Sequence, residues 1–266
     1  MTPIITVTNQ KGGVAKTTTC DAITEGLRER GLKVLAIDTD SQGSLGTLQE
    51  RYAVKGSTDT YGFMLGADLK CDATGQCTLQ GGNELGKVQE TLDIDGNDLD
   101  ESCLAKAVDR AVERHGFDAV VIDTSPGVNF ANICAIAAAT HVIIPTTPDF
   151  LGLEAVRQEV NVLNELFETS PCRLADNPAI LIAQYRSIAK MPRQIADQIE
   201  RDFPDLGLKV FQRRIPVNIS IQEAQIERRS IYDQSILRGA PFEYDLVVKL
   251  IMQWCGLADP SEKAGE

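Results

Sequence analysis

The sequence predicts a doubly wound α/β fold: a mainly parallel sheet with helices on both faces. Two observations carry this. Short runs of Val, Ile, Leu and Ala recur along the chain and are apolar throughout rather than alternating. Strands buried on both faces read this way, whereas a one-sided antiparallel strand alternates apolar with polar. Between successive runs stand stretches of helical periodicity, as parallel crossovers require.

Taken in order, residues 4–8 form the first strand, followed by a Gly-rich turn and a helix over 15–30 that Gly31 ends. Further strands are expected at 34–37, 119–122, 141–144 and 179–183. Helical patterns occupy 104–114, 129–139, 153–167, 193–201 and 242–254. Residues 51–101 break the rhythm. They are rich in Gly, Asp, Asn and Thr, and 59–101 hold ten acidic residues against two basic. This stretch is expected to be an irregular excursion with short helices or a hairpin. Residues 1–257 are expected to form one domain, with 258–266 a disordered tail.

The chain has 266 residues, enough to bury a substantial core without disulfides. Its seven cysteines are odd in number, scattered and free of any CxxC pair, which fits reduced thiols in the cytoplasm. Two histidines exclude a multi-histidine metal centre. No apolar stretch reaches the ~18 residues of a membrane span, and the start of the sequence lacks a secretory pattern. The formal charge of −12 argues against a surface uniformly basic for nucleic acid. The distribution is uneven, however: residues 1–185 carry −12, residues 186–229 carry +3 and residues 230–266 carry −3.

The strongest chemical signal is Gln10-Lys11-Gly12-Gly13-Val14-Ala15-Lys16-Thr17-Thr18, placed between a strand and a helix. Glycines let a backbone curl around phosphate oxygens, and the N–H groups of the helix start then face the anion. In such a loop Lys16 reaches the β- and γ-phosphates, Thr17 ligates Mg²⁺ and Thr18 contacts the α-phosphate. Two acids, Asp38 and Asp40, end the second strand, and Asp123 ends the strand at 119–122. Carboxylates at the carboxyl edge of such a sheet lie where α/β ligand sites form.

KGGVAKTT resembles the deviant Walker A loop, KGGxxK[ST], of the ParA/MinD family of ATPases. The run at 38–43 resembles that family's DxDPQGN motif, 117–127 its Walker B strand, and 215–224 its IPRNVRLSEAP segment. The resemblance spans about 3–50 and 115–250. It implies a P-loop NTPase of the deviant Walker A type that takes ATP and Mg²⁺. Lys11 would cross an ATP-bound homodimer, Asp40 would position the attacking water, and Asp38 and Asp123 would support the metal. Gln184, Pro216 and Asn218 would wall the adenine pocket. A ParA-type partition role further implies non-specific DNA binding on the nucleoid and a ParB-like partner that stimulates hydrolysis. Arg186, Lys190, Arg193, Arg213, Arg214, Arg228 and Arg229 are the candidate DNA contacts. The two arginines of IPRNVRL are here Val217 and Ser220. Membrane attachment of the MinD kind calls for a basic amphipathic C-terminal helix, and LVVKLIMQWCGL is apolar with one lysine. The alternatives are another cargo-positioning ATPase, or a scaffold that uses ATP only to hold a dimer.

Overall fold

The computed structural model describes residues 1–85, 100–169, 173–233 and 238–260. Part of the acidic stretch and most of the expected disordered tail lie outside the described residues. Seven strands form one sheet: β1 (Ile4–Val7), β2 (Val34–Asp38), β3 (Cys77–Leu79), β4 (Ala119–Asp123), β5 (His141–Thr146), β6 (Ala179–Tyr185) and β7 (Lys209–Pro216). Their order is β3-β2-β4-β1-β5-β6-β7, and every neighbouring pair is parallel. The described helices are α1 (Lys16–Glu29), α2 (Ser44–Leu48), α3 (Thr60–Met64), α4 (Cys103–His115), α5 (Phe130–Ala138), α6 (Phe150–Thr169), α7 (Lys190–Asp202), α8 (Ile219–Ile226) and α9 (Ala240–Cys255).

All five expected strands are present, and two edge strands, β3 and β7, extend the sheet beyond them. β7 carries Lys209, Arg213 and Arg214 and is buried on one side only, as an outer strand can be. β3 has three residues and comes from the acidic excursion. It runs parallel to β2, so it forms no hairpin with that strand, and the excursion supplies one edge of the sheet.

Successive strand residues point to opposite faces, and the core divides accordingly. Ile5, Val7, Val34, Ala36, Ala119, Val121 and Ile143 face α1, α8 and α9. Leu35, Ile37, Val120 and Ile122 face α3, α4 and α5. Val142, Ile144, Ile180 and Ile182 face α6 and α7. Apolar strand runs are thus explained by helices on both sides.

α9 turns its apolar face inward. Tyr244, Val247, Val248, Ile251 and Met252 are buried in one cluster with Ile23 and Leu27 of α1. Each fully buried aliphatic side chain contributes about 1.5–3 kcal/mol. That face is therefore committed to the core. No described helix is long and apolar enough to cross a membrane.

Candidate functional site

The strand order reverses at β1, which lies between β4 and β5. Ligand crevices of open parallel sheets form at such a reversal, outside the carboxyl ends of the strands. Chain direction thus delivers the ends of β1, β2, β4 and β5 to one place. In register, Val7 pairs with Asp123 and Asp38 also pairs with Asp123, so the two carboxylates sit side by side.

The loop after β1 enters α1 through two residues of left-handed backbone, Gly13 (φ 73°) and Ala15 (φ 69°). Ala15 occupies the N-cap position and offers no side-chain cap, and the first turn holds no acid. The first N–H of α1 paired within the helix is that of Thr19, which donates to Ala15 O at 2.9 Å. The helix start is therefore an uncapped cluster of donors, the arrangement that suits an anion. Lys16 is buried beneath it, with Nζ donating to Lys11 O at 2.9 Å. Burial lowers its pKa, and Asp123, Glu159 and Asp40 oppose that fall. An alanine in the left-handed region costs about 1–2 kcal/mol. Ala15→Gly is thus expected to raise thermal stability by a degree or more despite glycine's added unfolded entropy; a lowered melting temperature would contradict this.

Asp123 is fully buried, and neither of its carboxylate oxygens has a hydrogen-bond partner. Burial pushes its pKa up to about 8; Asp38 reinforces the rise, while Thr17, Cys20 and Lys16 oppose it. An orphaned buried carboxylate is costly unless a cation or its water shell completes it. The neighbouring Thr17 hydroxyl and the cleft beyond suit Mg²⁺, which keeps several waters and takes few protein ligands. Asp38, the other acid expected to support the metal, also has backbone partners. Its Oδ1 accepts from Asp40 N at 2.9 Å and its Oδ2 from Gly46 N at 3.0 Å, so it holds the β2–α2 loop in shape. Burial raises it to about 6, against the pull of those two amides. Asp40 is half-buried, and its Oδ1 accepts from Gln42 N at 2.9 Å. Gly81 lies behind this loop, where a Cβ would collide with the Asp40 carbonyl oxygen.

An open cleft of ≈ 330 Å³ collects Gly13, Ala15, Lys16, Thr17, Thr18, Asp40, Thr124, Pro126 and Gln184. A second cavity of ≈ 280 Å³ shares Ala15, Thr18 and Gln184 with it and adds Pro216, Asn218 and Tyr244. The three adenine-wall candidates therefore meet in one cavity that continues into the phosphate cleft. Gln184 adopts left-handed backbone (φ 53°) and donates its Nε2 to Gly13 O at 2.8 Å. Asn218 caps α8 by accepting from Ser220 N at 2.8 Å. A larger cavity of ≈ 390 Å³ lies between α3 and α4 and contains none of these residues.

Glu159, on α6, has no local sequence signature, and composition alone would class it as a surface acid. It is 1% exposed. Its Oε1 accepts from the Thr8 hydroxyl at 2.7 Å and its Oε2 from Gln10 N at 2.9 Å. It thereby anchors the start of the phosphate loop. Lys11 reaches the other way, with Nζ 3.0 Å from Asp149 Oδ1 and 3.2 Å from Thr147 Oγ1. Burial would raise Asp149, but hydrogen bonds from Thr147 and Gly152 N–H, with Lys11 beside it, hold it below its ordinary value.

The seven basic candidates separate into two groups. Arg214 is bound by Glu200 and Asp197 at 2.7 and 2.6 Å. Arg213 lies 3.7 Å from Glu243, Arg229 2.5 Å from Glu227, and Arg228 pairs with Glu50. Arg186, Lys190 and Arg193 are exposed and form no ion pair among the described residues. Among the described residues there is also no cluster of three or more His, Cys, Asp or Glu able to hold a metal by themselves.

A family model described as AAA domain matches residues 2–175. The chromosome partitioning protein ParA of Caulobacter vibrioides is 27% identical over 228 residues, covering 83% of each chain. The chromosome-partitioning ATPase Soj of Thermus thermophilus is 29% identical over 225 residues, again covering 83% of each. A cobyrinic acid a,c-diamide synthase from Mycobacterium smegmatis, solved with ADP and magnesium, superposes with a TM-score of 0.74 at 24% identity over 96% of each chain, which supports the fold alone. With a deviant phosphate loop and two strand-end carboxylates at the reversal of a parallel sheet, the chain belongs to the AAA domain family and is a ParA-type member of the ParA/MinD ATPases.

Proposed function

We propose that the protein hydrolyses ATP with Mg²⁺ and uses the ATP-bound homodimer to hold DNA non-specifically, segregating or positioning a cargo whose ParB-like partner stimulates hydrolysis. The observation that carries this reading is the uncapped start of α1 with Lys16 beneath it, beside the orphaned carboxylate of Asp123. The ADP and magnesium held by the same fold in the M. smegmatis protein support it.

Phosphates lie on the α1 N–H groups, and Lys16 donates to the β- and γ-oxygens, balancing charge as it spreads in phosphoryl transfer. Thr17 and Asp123 hold Mg²⁺ or its waters; the metal supplies further neutralisation of the phosphates. Asp40 orients the attacking water. Glu159 and Gln184 keep the loop's two flanks in place. Lys11 is held by Asp149 of its own chain, next to the exposed Phe150 and Leu151. On the two-subunit reading, Lys11 exchanges that carboxylate for the partner's phosphates.

For DNA, the geometry favours Arg186, Lys190 and Arg193, which are exposed and form no ion pair among the described residues, although Asp197 lies within electrostatic reach of Arg193. Arg214 serves to pin α7 to β7. The committed apolar face of α9 supports this reading over membrane attachment.

Light scattering on Asp40→Ala with ATP and Mg²⁺ should give a dimer, and with ADP a monomer. The dimer should bind duplex DNA with affinity falling steeply as salt rises. A persistent monomer, or DNA retention equal with ADP and ATP, would refute the reading.

A further inference from the structure

We infer that Gln225 is a positioning residue for the nucleotide: it turns the Thr18 hydroxyl toward the α-phosphate. Gln225 Nε2 lies 3.2 Å from Thr18 Oγ1 and donates to it. Both residues line the base cavity, and Thr18 also lines the phosphate cleft. A hydroxyl has one proton to give and two lone pairs to receive. When Oγ1 accepts from Gln225, that contact uses a lone pair and leaves the proton free to point into the cleft, where an anion needs a donor. Without Gln225 the hydroxyl rotates freely and the ordering cost falls on ligand binding.

Location reinforces the role. Thr18 is the third residue of α1, whose neighbouring N–H groups face the same cleft. Gln225 stands on α8, the helix that Asn218 caps beside the base cavity. The contact therefore joins the wall around the base to the floor under the phosphates. In the pattern IPRNVRLSEAP the corresponding position is proline, which has no side-chain donor.

The inference rests on the nucleotide reading above and is tested separately from it. ADP, AMP and adenosine are titrated calorimetrically into the wild type, Gln225→Met, Thr18→Val and the double variant, each checked for native circular dichroism. Methionine keeps length and bulk but donates nothing. Gln225→Met should bind ADP and AMP about three- to tenfold more weakly, the loss of one hydrogen bond. Thr18→Val should lose a similar factor, and the double variant no more than the weaker single variant. Adenosine, lacking the phosphate, should bind all four alike. Multiplying losses in the double variant, or an equal loss for adenosine, would overturn the positioning role. A wild type that fails to bind ADP would overturn the nucleotide reading itself. Gln225→Glu adds a check by sign. A carboxylate accepts the hydroxyl proton and turns it away from the phosphate, so ADP affinity should fall below that of Gln225→Met in the Thr18 background. In the Thr18→Val background only the charge effect should remain, and a Glu penalty of equal size in both backgrounds would also overturn the inference.

Discussion

Lys16→Ala should lower ATP turnover by about 10²–10³-fold, the loss typical when one preorganised donor to developing charge is removed. The lysine is 6% exposed at the helix start. Burial alone favours its neutral form, yet Asp123, Glu159 and Asp40 surround it and sustain the cation. A buried ammonium in an anionic setting is matched to a phosphate that arrives with still more charge. Among the described residues its ammonium donates only to the Lys11 carbonyl, so little of the fold depends on it. The melting temperature should move by only a few degrees. Steady-state phosphate release and a nucleotide titration check both parts. Turnover within threefold of wild type would show that Lys16 is not the phosphate cation.

Asp40→Ala should separate binding from chemistry. Removing a residue that orients or deprotonates the attacking water costs about 10²–10⁴-fold, while ATP affinity should stay within a few-fold. Of the three acids here, Asp123 has no hydrogen-bond partner and Asp38 is committed to two backbone amides. Asp40 is half-buried, lines the cleft and is steadied, among the described residues, by a backbone contact from Gln42 N. On the proposed reading it is the acid that meets water. Single-turnover hydrolysis beside equilibrium ATP binding distinguishes the roles. If affinity falls in step with the rate, Asp40 is a loop support and the water is positioned by another group.

The phosphate loop was legible because its geometry is local. Nine consecutive residues contain the glycines, the lysine and the threonines, and the strand before and helix after orient them. Central strands were legible because burial on both faces leaves an uninterrupted apolar run. The edge strands β3 and β7 were not. An edge strand needs less apolar cover, so β7 carries charge and β3 is only three residues long. The roles of individual charges were also hidden. Arg213 and Arg214 look equally available for DNA in the sequence, and only folding shows Arg214 clasped by Glu200 and Asp197.

By itself the sequence determined the fold class, the phosphate loop and the three strand-end acids, since each follows from neighbouring residues and one periodicity. Tertiary structure decided which side chains complete the site. Glu159 meets Gln10 across 149 positions, Lys11 meets Asp149 across 138, and Gln225 meets Thr18 across 207. No local pattern marks such partners. They are chosen by the order in which parallel strands are laid down, which brings α6 and α8 to the edge where β1 ends.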